Sequence, residues 1–110
     1  MKEFEAFLTE HLHDGKLDID GIFCVTDRLA YQIVQLLKSM GVNVPDDVQV
    51  IGFDGLRTFG DMNYYCSTIV QPVEAMAETC VNLILAEPSA TTPALLCLPV
   101  SYAYGGTTKA

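Results

Sequence analysis

Basic residues are scarce in this sequence. Of its 110 residues, 6 are lysine or arginine and 14 are aspartate or glutamate, so the formal net charge is −8 at pH 7. Affinity for nucleic acids is built largely from Lys and Arg contacts to phosphates, and an acidic chain repels those phosphates. We therefore expect these residues not to bind DNA directly.

Long apolar runs and metal-type spacings are also missing. No run approaches the roughly 20 apolar residues of a membrane helix, and no N-terminal segment combines basic residues, an apolar stretch and a cleavage site. The cysteines form no CxxC pair, and His11 and His13 lie far from them in sequence. The sequence thus predicts a soluble cytoplasmic protein without membrane contact, metal or cofactor. The cysteines, all predicted to be buried free thiols, are Cys24, Cys66, Cys80 and Cys97.

Alternating strand and helix signals predict an α/β fold with a parallel sheet flanked by helices. Half of the residues are hydrophobic, as in globular chains. Residues 21–25 (GIFCV) have the short apolar pattern of a strand buried on both faces, and residues 48–53 (VQVIGF) form the next strand. Between them a helix is predicted from Asp27, with Gly41 as its left-handed end. The other predicted elements are a helix from Glu3, a short strand in TIVQP, a helix from Val73 and a last strand over residues 94–100.

Polar residues follow both central strands. Thr26 and Asp27 come after the first strand, and Asp54 comes after the second. Because a right-handed crossover places both carboxyl ends at one sheet edge, these side chains are expected to share the edge where such sheets bind ligands. An ionised aspartate accepts up to about four hydrogen bonds, enough for neighbouring sugar hydroxyls or the donor edge of a base. Local chemistry alone favours plainer roles. Asp54 would form a turn with Gly55, and Thr26 or Asp27 would cap the following helix, with Asp27 favoured because its charge suits the positive end of that helix.

An ordered set of motifs spans about residues 20–108. It comprises GIFCVTDRLAYQIVQLLKSMGVNVPDDVQVIGFDG, then STIVQP, then LPVSYAYGGTT. This set resembles the C-terminal part of lactose-repressor (LacI/GalR) family regulators. The resemblance implies a bacterial transcription regulator whose sensor is like periplasmic sugar-binding proteins, with two α/β subdomains closing on a small effector, usually a sugar or nucleobase. It also implies that Asp54 contacts the effector, with Thr26 beside it where the family usually has Asn.

The other parts of such a regulator have no counterpart before residue 20. Family members begin with a helix-turn-helix, a hinge helix and an N-terminal subdomain, and none of these signatures is found here. Residues 1–110 are therefore expected to be a C-terminal subdomain portion of an effector-binding domain, which forms one wall of the effector cleft. Operator DNA would be bound only through the missing N-terminal domain.

A homodimer is a further implication of the resemblance, because family members dimerise through this subdomain. The helix from Asp27 has a second, mixed face besides its apolar stripe, and the stretch after Asp54 carries residue types enriched at interfaces. The alternative is that these loop residues only cover the edge of the sheet. The predicted interface residues are Tyr31, Val34 and Gln35 on the helix and Met62, Tyr64 and Tyr65 in the loop.

Two other functions share parts of this pattern. A periplasmic-type sugar-binding receptor has the same fold, although the Gly-Phe-Asp and Gln-Pro motifs favour a regulator. Phosphoryl-transfer enzymes also place a nucleophilic aspartate at a strand end. A haloacid-dehalogenase-like site needs a second aspartate two residues on, where this chain has Leu56, and the sequence has no Gly-rich phosphate loop. We therefore expect no enzymatic activity.

Overall fold

A four-stranded sheet organises the residues that the computed structural model describes, which are 1–57, 63–87, 89 and 95–110. In chain order the elements are α1 (Lys2–Glu10), β1 (Leu12–His13), β2 (Lys16–Leu17), β3 (Gly21–Phe23), α2 (Asp27–Ser39), β4 (Gln49–Asp54), β5 (Ser67–Val70), α3 (Val73–Leu85) and β6 (Ser101–Ala103). The sheet order is β3-β4-β5-β6, in which β6 alone is antiparallel to its neighbour, and β1 pairs with β2 separately. The predicted α/β fold with a parallel sheet is confirmed.

Helix α2 begins and ends at local signals. The Thr26 hydroxyl accepts a hydrogen bond from the Leu29 N–H at 3.3 Å, which satisfies one of the free amides of the first turn. After the last turn, Gly41 takes the left-handed conformation with φ of 77°. Both boundaries agree with the sequence pattern because they depend on short-range chemistry.

The core lies between α2 and one face of the sheet. Tyr31 and Val34 are at most 1% exposed and belong to one buried cluster with Val50 of β4. The Tyr31 hydroxyl also accepts the N–H of Cys66 at 3.2 Å, just before β5. The prediction that Tyr31 and Val34 form an exposed interface face is therefore wrong, because α2 packs both residues inside the core. The other buried apolar residues of the cluster are Leu8, Cys24, Ala30, Ile33, Leu37, Val42, Val48 and Cys66.

The opposite face of the sheet is open among the described residues. The strand register pairs Phe23 with Ile51 and Ile69 with Tyr102 on this face. Phe23 is 62% exposed and Tyr102 is 52% exposed. The prediction of a first strand buried on both faces is wrong for this chain, since α2 covers only the other face of the sheet.

Helix α3 follows Pro72 as predicted, but the described residues provide no core for it to pack on. None of its 13 residues is buried, and Ile84 is 81% exposed. The described residues accordingly form an elongated body of 63 × 26 × 26 Å. An amphipathic pattern predicts which side of a helix is apolar and leaves open what covers that side.

The last strand lies later in the chain than the sequence predicts. Residues 95–100 form no strand, and β6 begins at Ser101, in register with Val70 at the end of β5. Pro99 lacks the N–H that a strand ladder requires, which disfavours pairing in the preceding segment. The predicted strand is therefore wrong for residues 95–100, and residue 94 of that prediction lies outside the described residues.

The C-terminal tail forms hydrogen bonds to the beginning of β4 and of β5. The Thr107 carbonyl accepts the Val50 N–H at 2.8 Å, and its hydroxyl donates to the Val50 carbonyl at 2.6 Å. The same hydroxyl accepts the Ser67 N–H at 2.8 Å. Gly105 passes so close to Cys66 that a Cβ on it would lie 2.3 Å from the Cys66 carbonyl carbon. Thr107 thus bridges β4 and β5 at the end of the sheet opposite Asp54.

Candidate functional site

The carboxyl ends of β4 and β5 form a polar edge. Asp54 is the last residue of β4, in register with Val70, and Gln71 follows β5 directly. The exposed Asp54 carboxylate accepts a hydrogen bond from Gln71 Nε2 on its Oδ1 atom at 2.8 Å. A carboxylate has about four acceptor positions, so this bond leaves capacity for a ligand with hydroxyl or amino donors. The predicted strand-end position of Asp54 is confirmed, whereas its contact with an effector stays a prediction.

The backbone at Asp54 has an unusual conformation. Its φ is 125° and that of Gly55 is 88°, in a region that residues with side chains rarely adopt. Such conformations cost about 1–3 kcal/mol and persist where the surrounding structure imposes them. Asp54 and Gly55 thus shape the exit from β4 through their positive φ values rather than as a regular turn, and this conformation coexists with the Asp54–Gln71 hydrogen bond.

Thr26 and Asp27 have different roles from one another. Thr26 caps α2, whereas the Asp27 carboxylate reaches across to accept the N–H of Leu56, two residues beyond Asp54. The assignment of Asp27 as a helix cap is therefore wrong, because its carboxylate bonds a distant amide instead of one in its own first turn. Thr26 is half-buried, and a hydroxyl that accepts one bond can still donate another to a ligand. Its contact with an effector stays a prediction.

Gln71 also belongs to this edge, although it was not among the residues predicted from the sequence. It lies within the quoted STIVQP motif, directly after an apolar strand. That placement was a usable signal, since polar residues after parallel strands gather at one edge. One sequence does not reveal which strand neighbours β4, so the partner of Asp54 could not be identified in advance.

A cavity of about 370 Å³ lies between α3 and the segment that precedes β6. Gln71 is the one residue of the Asp54 edge among its lining side chains, and most of the others are apolar. A polar ligand needs convergent hydrogen-bonding groups, which the edge offers and this cavity mostly lacks. The other lining residues are Pro72, Met76, Thr79, Cys80, Leu83, Leu96, Leu98 and Val100.

The cysteines divide into two pairs by burial. Cys24 and Cys66 are buried as predicted, and burial, with a smaller contribution from the Asp27 charge, raises the pKa of Cys24 to about 11 and that of Cys66 to about 12. Both thiols therefore stay protonated at neutral pH. Cys80 and Cys97 are exposed, so their predicted burial is wrong. Cys80 lies on α3, which buries no residue among the described parts of the chain, and Cys97 lies in the segment before β6, which forms no strand.

Metal sites and membrane spans are not found in the described ranges. No group of three or more His, Cys, Asp or Glu side chains there is arranged to hold a metal ion. Within the same ranges, every helix is too short or too polar to cross a bilayer.

Tyr64 packs on the body of the chain. Its ring centroid lies 5.6 Å from that of Tyr31, and the Lys38 ammonium lies 4.0 Å from it. Burial raises the pKa of the Tyr64 phenol to about 12. These contacts favour the covering role for Tyr64 over a central interface role. The remaining predicted interface residues are Gln35 and Tyr65, which are exposed, and Met62, which lies outside the described residues.

Known proteins resemble this chain along almost its whole length. Residues 3–108 match the family described as periplasmic binding protein-like domain. The sucrose operon repressor of Pediococcus pentosaceus is 28% identical over 85 residues, which cover 77% of this chain and 24% of the repressor. The chain thus spans about a quarter of the length of that curated relative.

Solved structures share the fold. The periplasmic binding protein/LacI transcriptional regulator from Alkaliphilus metalliredigens QYMF, complexed with D-xylulofuranose, is 31% identical with a TM-score of 0.62, covering 83% of this chain and 35% of that one. A LacI family transcriptional regulator from Arthrobacter sp. FB24 is 24% identical with a TM-score of 0.79, covering 96% of this chain and 39% of that one. Less than half of each solved chain corresponds to the residues described above.

Proposed function

The chain belongs to the periplasmic binding protein-like domain family, in the form found in LacI-type transcription regulators, and we propose that it forms one wall of the effector cleft of such a regulator. The observation that carries this proposal is the hydrogen-bonded pair of Asp54 and Gln71 on the polar sheet edge. Its curated relatives are named as regulators rather than receptors or enzymes, which favours a regulator over a periplasmic-type receptor. Operator DNA would be read by parts outside this acidic segment, and the regulator would act in the cytoplasm.

A sugar is the effector class that we propose for this edge. Neighbouring hydroxyls of a sugar ring can donate two hydrogen bonds to the Asp54 carboxylate, while the Gln71 amide both donates and accepts. The Thr26 hydroxyl supplies a further polar group beside the first strand. The sugar bound by the Alkaliphilus regulator supports this class. A nucleobase offers a similar donor edge, so the experiment includes one.

Titration of the chain with sugars, followed by NMR, tests the proposed function. The ligands are sucrose, lactose, ribose, D-xylulose and, as the nucleobase, adenine. Because one wall supplies only part of the contacts, we expect a Kd of about 1 mM, equivalent to about −4 kcal/mol. Asp54→Asn removes the charge while preserving the shape, and we expect it to weaken sugar binding about tenfold or more, since charged hydrogen bonds exceed neutral ones in strength.

The matched control is Asp46→Asn, which removes the same charge from an exposed carboxylate before the opposite end of β4. We expect this variant to bind as the wild-type chain does. Wild-type affinity for sugars in Asp54→Asn would show that this carboxylate does not contact the sugar. Tighter binding of adenine than of any sugar would show that the effector is a nucleobase instead of a sugar.

We also propose that two copies of the chain pair around Tyr65 and Gln35. Tyr65 is 54% exposed, and the Arg57 guanidinium lies 5.6 Å from the centroid of its ring. Tyr and Arg are the residue types enriched at the centres of interfaces. In a two-fold dimer the same patch meets itself, so one substitution changes the contact twice.

Sedimentation velocity with Tyr65→Glu tests the pairing. We expect the wild-type chain to sediment as a dimer and this variant as a monomer, with an unchanged circular dichroism spectrum. Ile84→Glu, an apolar-to-acidic change at an 81% exposed position of α3, is the control and should leave the dimer intact. A monomeric wild-type chain, or a dimer that only Ile84→Glu dissociates, would contradict the proposed interface.

A further inference from the structure

Asp27 occupies a position that helix capping does not explain. It is the first residue of α2 and is 0% exposed, while the neighbouring Thr26 already caps the helix. Within the part of the chain described, its Oδ1 atom has no hydrogen-bond partner. Burying a carboxylate with an unpartnered oxygen destabilises a fold. The carboxylate must therefore contribute something other than helix stability.

The contribution is visible in the segment after Asp54, residues 55–57, which we call the exit loop. Asp27 Oδ2 accepts the N–H of Leu56, and Thr68 Oγ1 accepts the N–H of Gly55 at 3.2 Å. Asp27 and Thr68 are both fully buried. The first two amides of the exit loop are thus bound to α2 on one side and to β5 on the other.

Gly52 makes room for the Asp27 carboxylate. A Cβ at residue 52 would lie 2.1 Å from Asp27 Oδ1 and 3.0 Å from Asp27 Cα. The carboxylate can occupy this place only because β4 has no side chain there. Glycine in the Gly-Phe-Asp segment and aspartate after β3 are therefore complementary in shape.

We propose that Asp27 is a positioning residue for the Asp54 carboxylate. With the Leu56 amide fixed, the backbone leaves β4 through Asp54 and Gly55 with φ values of 125° and 88°. That conformation accompanies the bond between Asp54 Oδ1 and Gln71 Nε2 at 2.8 Å. The conformational part of this inference is independent of any ligand, and its consequence for sugar affinity rests on the proposed function.

Amide hydrogen exchange and side-chain NMR of the full chain test this role with Asp27→Ala and Asp27→Asn. In Asp27→Ala the Leu56 amide loses its acceptor, so we expect it to exchange about tenfold faster or more, and the Gln71 side-chain amide resonances to move. Asp27→Asn keeps a side-chain oxygen and should restore most of both signals. Asp47→Ala is the matched control, because the Asp47 carboxylate accepts the N–H of Asn43 at 2.9 Å in another turn. It should leave both signals unchanged.

Wild-type Leu56 exchange and wild-type Gln71 resonances in Asp27→Ala would overturn the proposal. If Asp27→Ala does not fold, Leu56→Pro removes the donor instead of the acceptor, and unmoved Gln71 resonances in that variant would overturn it equally. Ribose titration of the same variants separates the two proposals. Moved Gln71 resonances with weakened binding support both, whereas moved resonances with unchanged binding support positioning by Asp27 and contradict effector contact by Asp54.

Discussion

Gly52→Ala is expected to lower the free energy of unfolding by about 2–5 kcal/mol, the sum of overpacking and of displacing a hydrogen-bonded carboxylate. The added methyl group would lie 2.1 Å from Asp27 Oδ1 and 3.2 Å from the Ala30 Cβ, so α2 and β4 cannot both keep their places. Urea denaturation followed by circular dichroism measures the loss.

Gly21→Ala is the matched control for this prediction. Gly21 lies in β3 of the same sheet, and the nearest atom to its added Cβ is the Gln49 carbonyl oxygen at 3.8 Å, an ordinary contact. We expect a change within about 1 kcal/mol, in the stabilising direction if the lower entropy of the unfolded chain prevails. Equal stability losses in both variants would contradict the close approach between Gly52 and Asp27. A Gly52→Ala/Asp27→Ala double variant should lose less than the sum of the single losses, because the two residues share one contact.

Thr107→Val is expected to lower the free energy of unfolding by about 2–4 kcal/mol, because it leaves one buried donor and one buried acceptor without the hydroxyl that bonds them. The Ser67 N–H would lose its acceptor, and the Val50 carbonyl would lose the hydroxyl that donates to it. Valine nearly preserves the shape of threonine, so the loss reports hydrogen bonding rather than packing. Urea denaturation again measures the change.

Thr108→Val is the control for that substitution. The Thr108 hydroxyl bonds the hydroxyls of Ser67 and Tyr102, both at 2.7 Å, and these partners can reorient. We expect a loss of about 1 kcal/mol or less. If the two threonine variants lost equal stability, the tail would not bridge β4 and β5 in the way described.

The central strand–helix–strand unit could be predicted from the sequence because its signals are local. A cap at Thr26, a left-handed glycine at residue 41 and a short apolar run at each strand all act within a few residues. The strand-end position of Asp54 followed from the same unit, since parallel strands end on one edge. These predictions needed no knowledge of distant contacts.

Long-range contacts explain the predictions that were wrong. The Asp27 carboxylate bonds an amide 29 residues away, and no local rule separates that role from a cap. In the sequence pattern, Tyr31 lies on the second, mixed face of its helix. In the fold its hydroxyl accepts the Cys66 N–H, and its ring is part of the core. The exposure of Cys80 depends on which part of the protein covers α3, and the amphipathic pattern of this helix does not predict that.

Mapping the residues at which a sugar binds is the most direct test of the central claim. Backbone and side-chain amide shifts of the chain are mapped during a ribose titration and compared between the polar edge and the apolar cavity beside α3. The largest changes are predicted at Asp54, Gly55 and the Gln71 side-chain amide. Largest changes at Met76, Leu83 and Leu98, or no change at any residue with any of the sugars, would contradict the claim that the strand-end edge is a wall of the effector cleft.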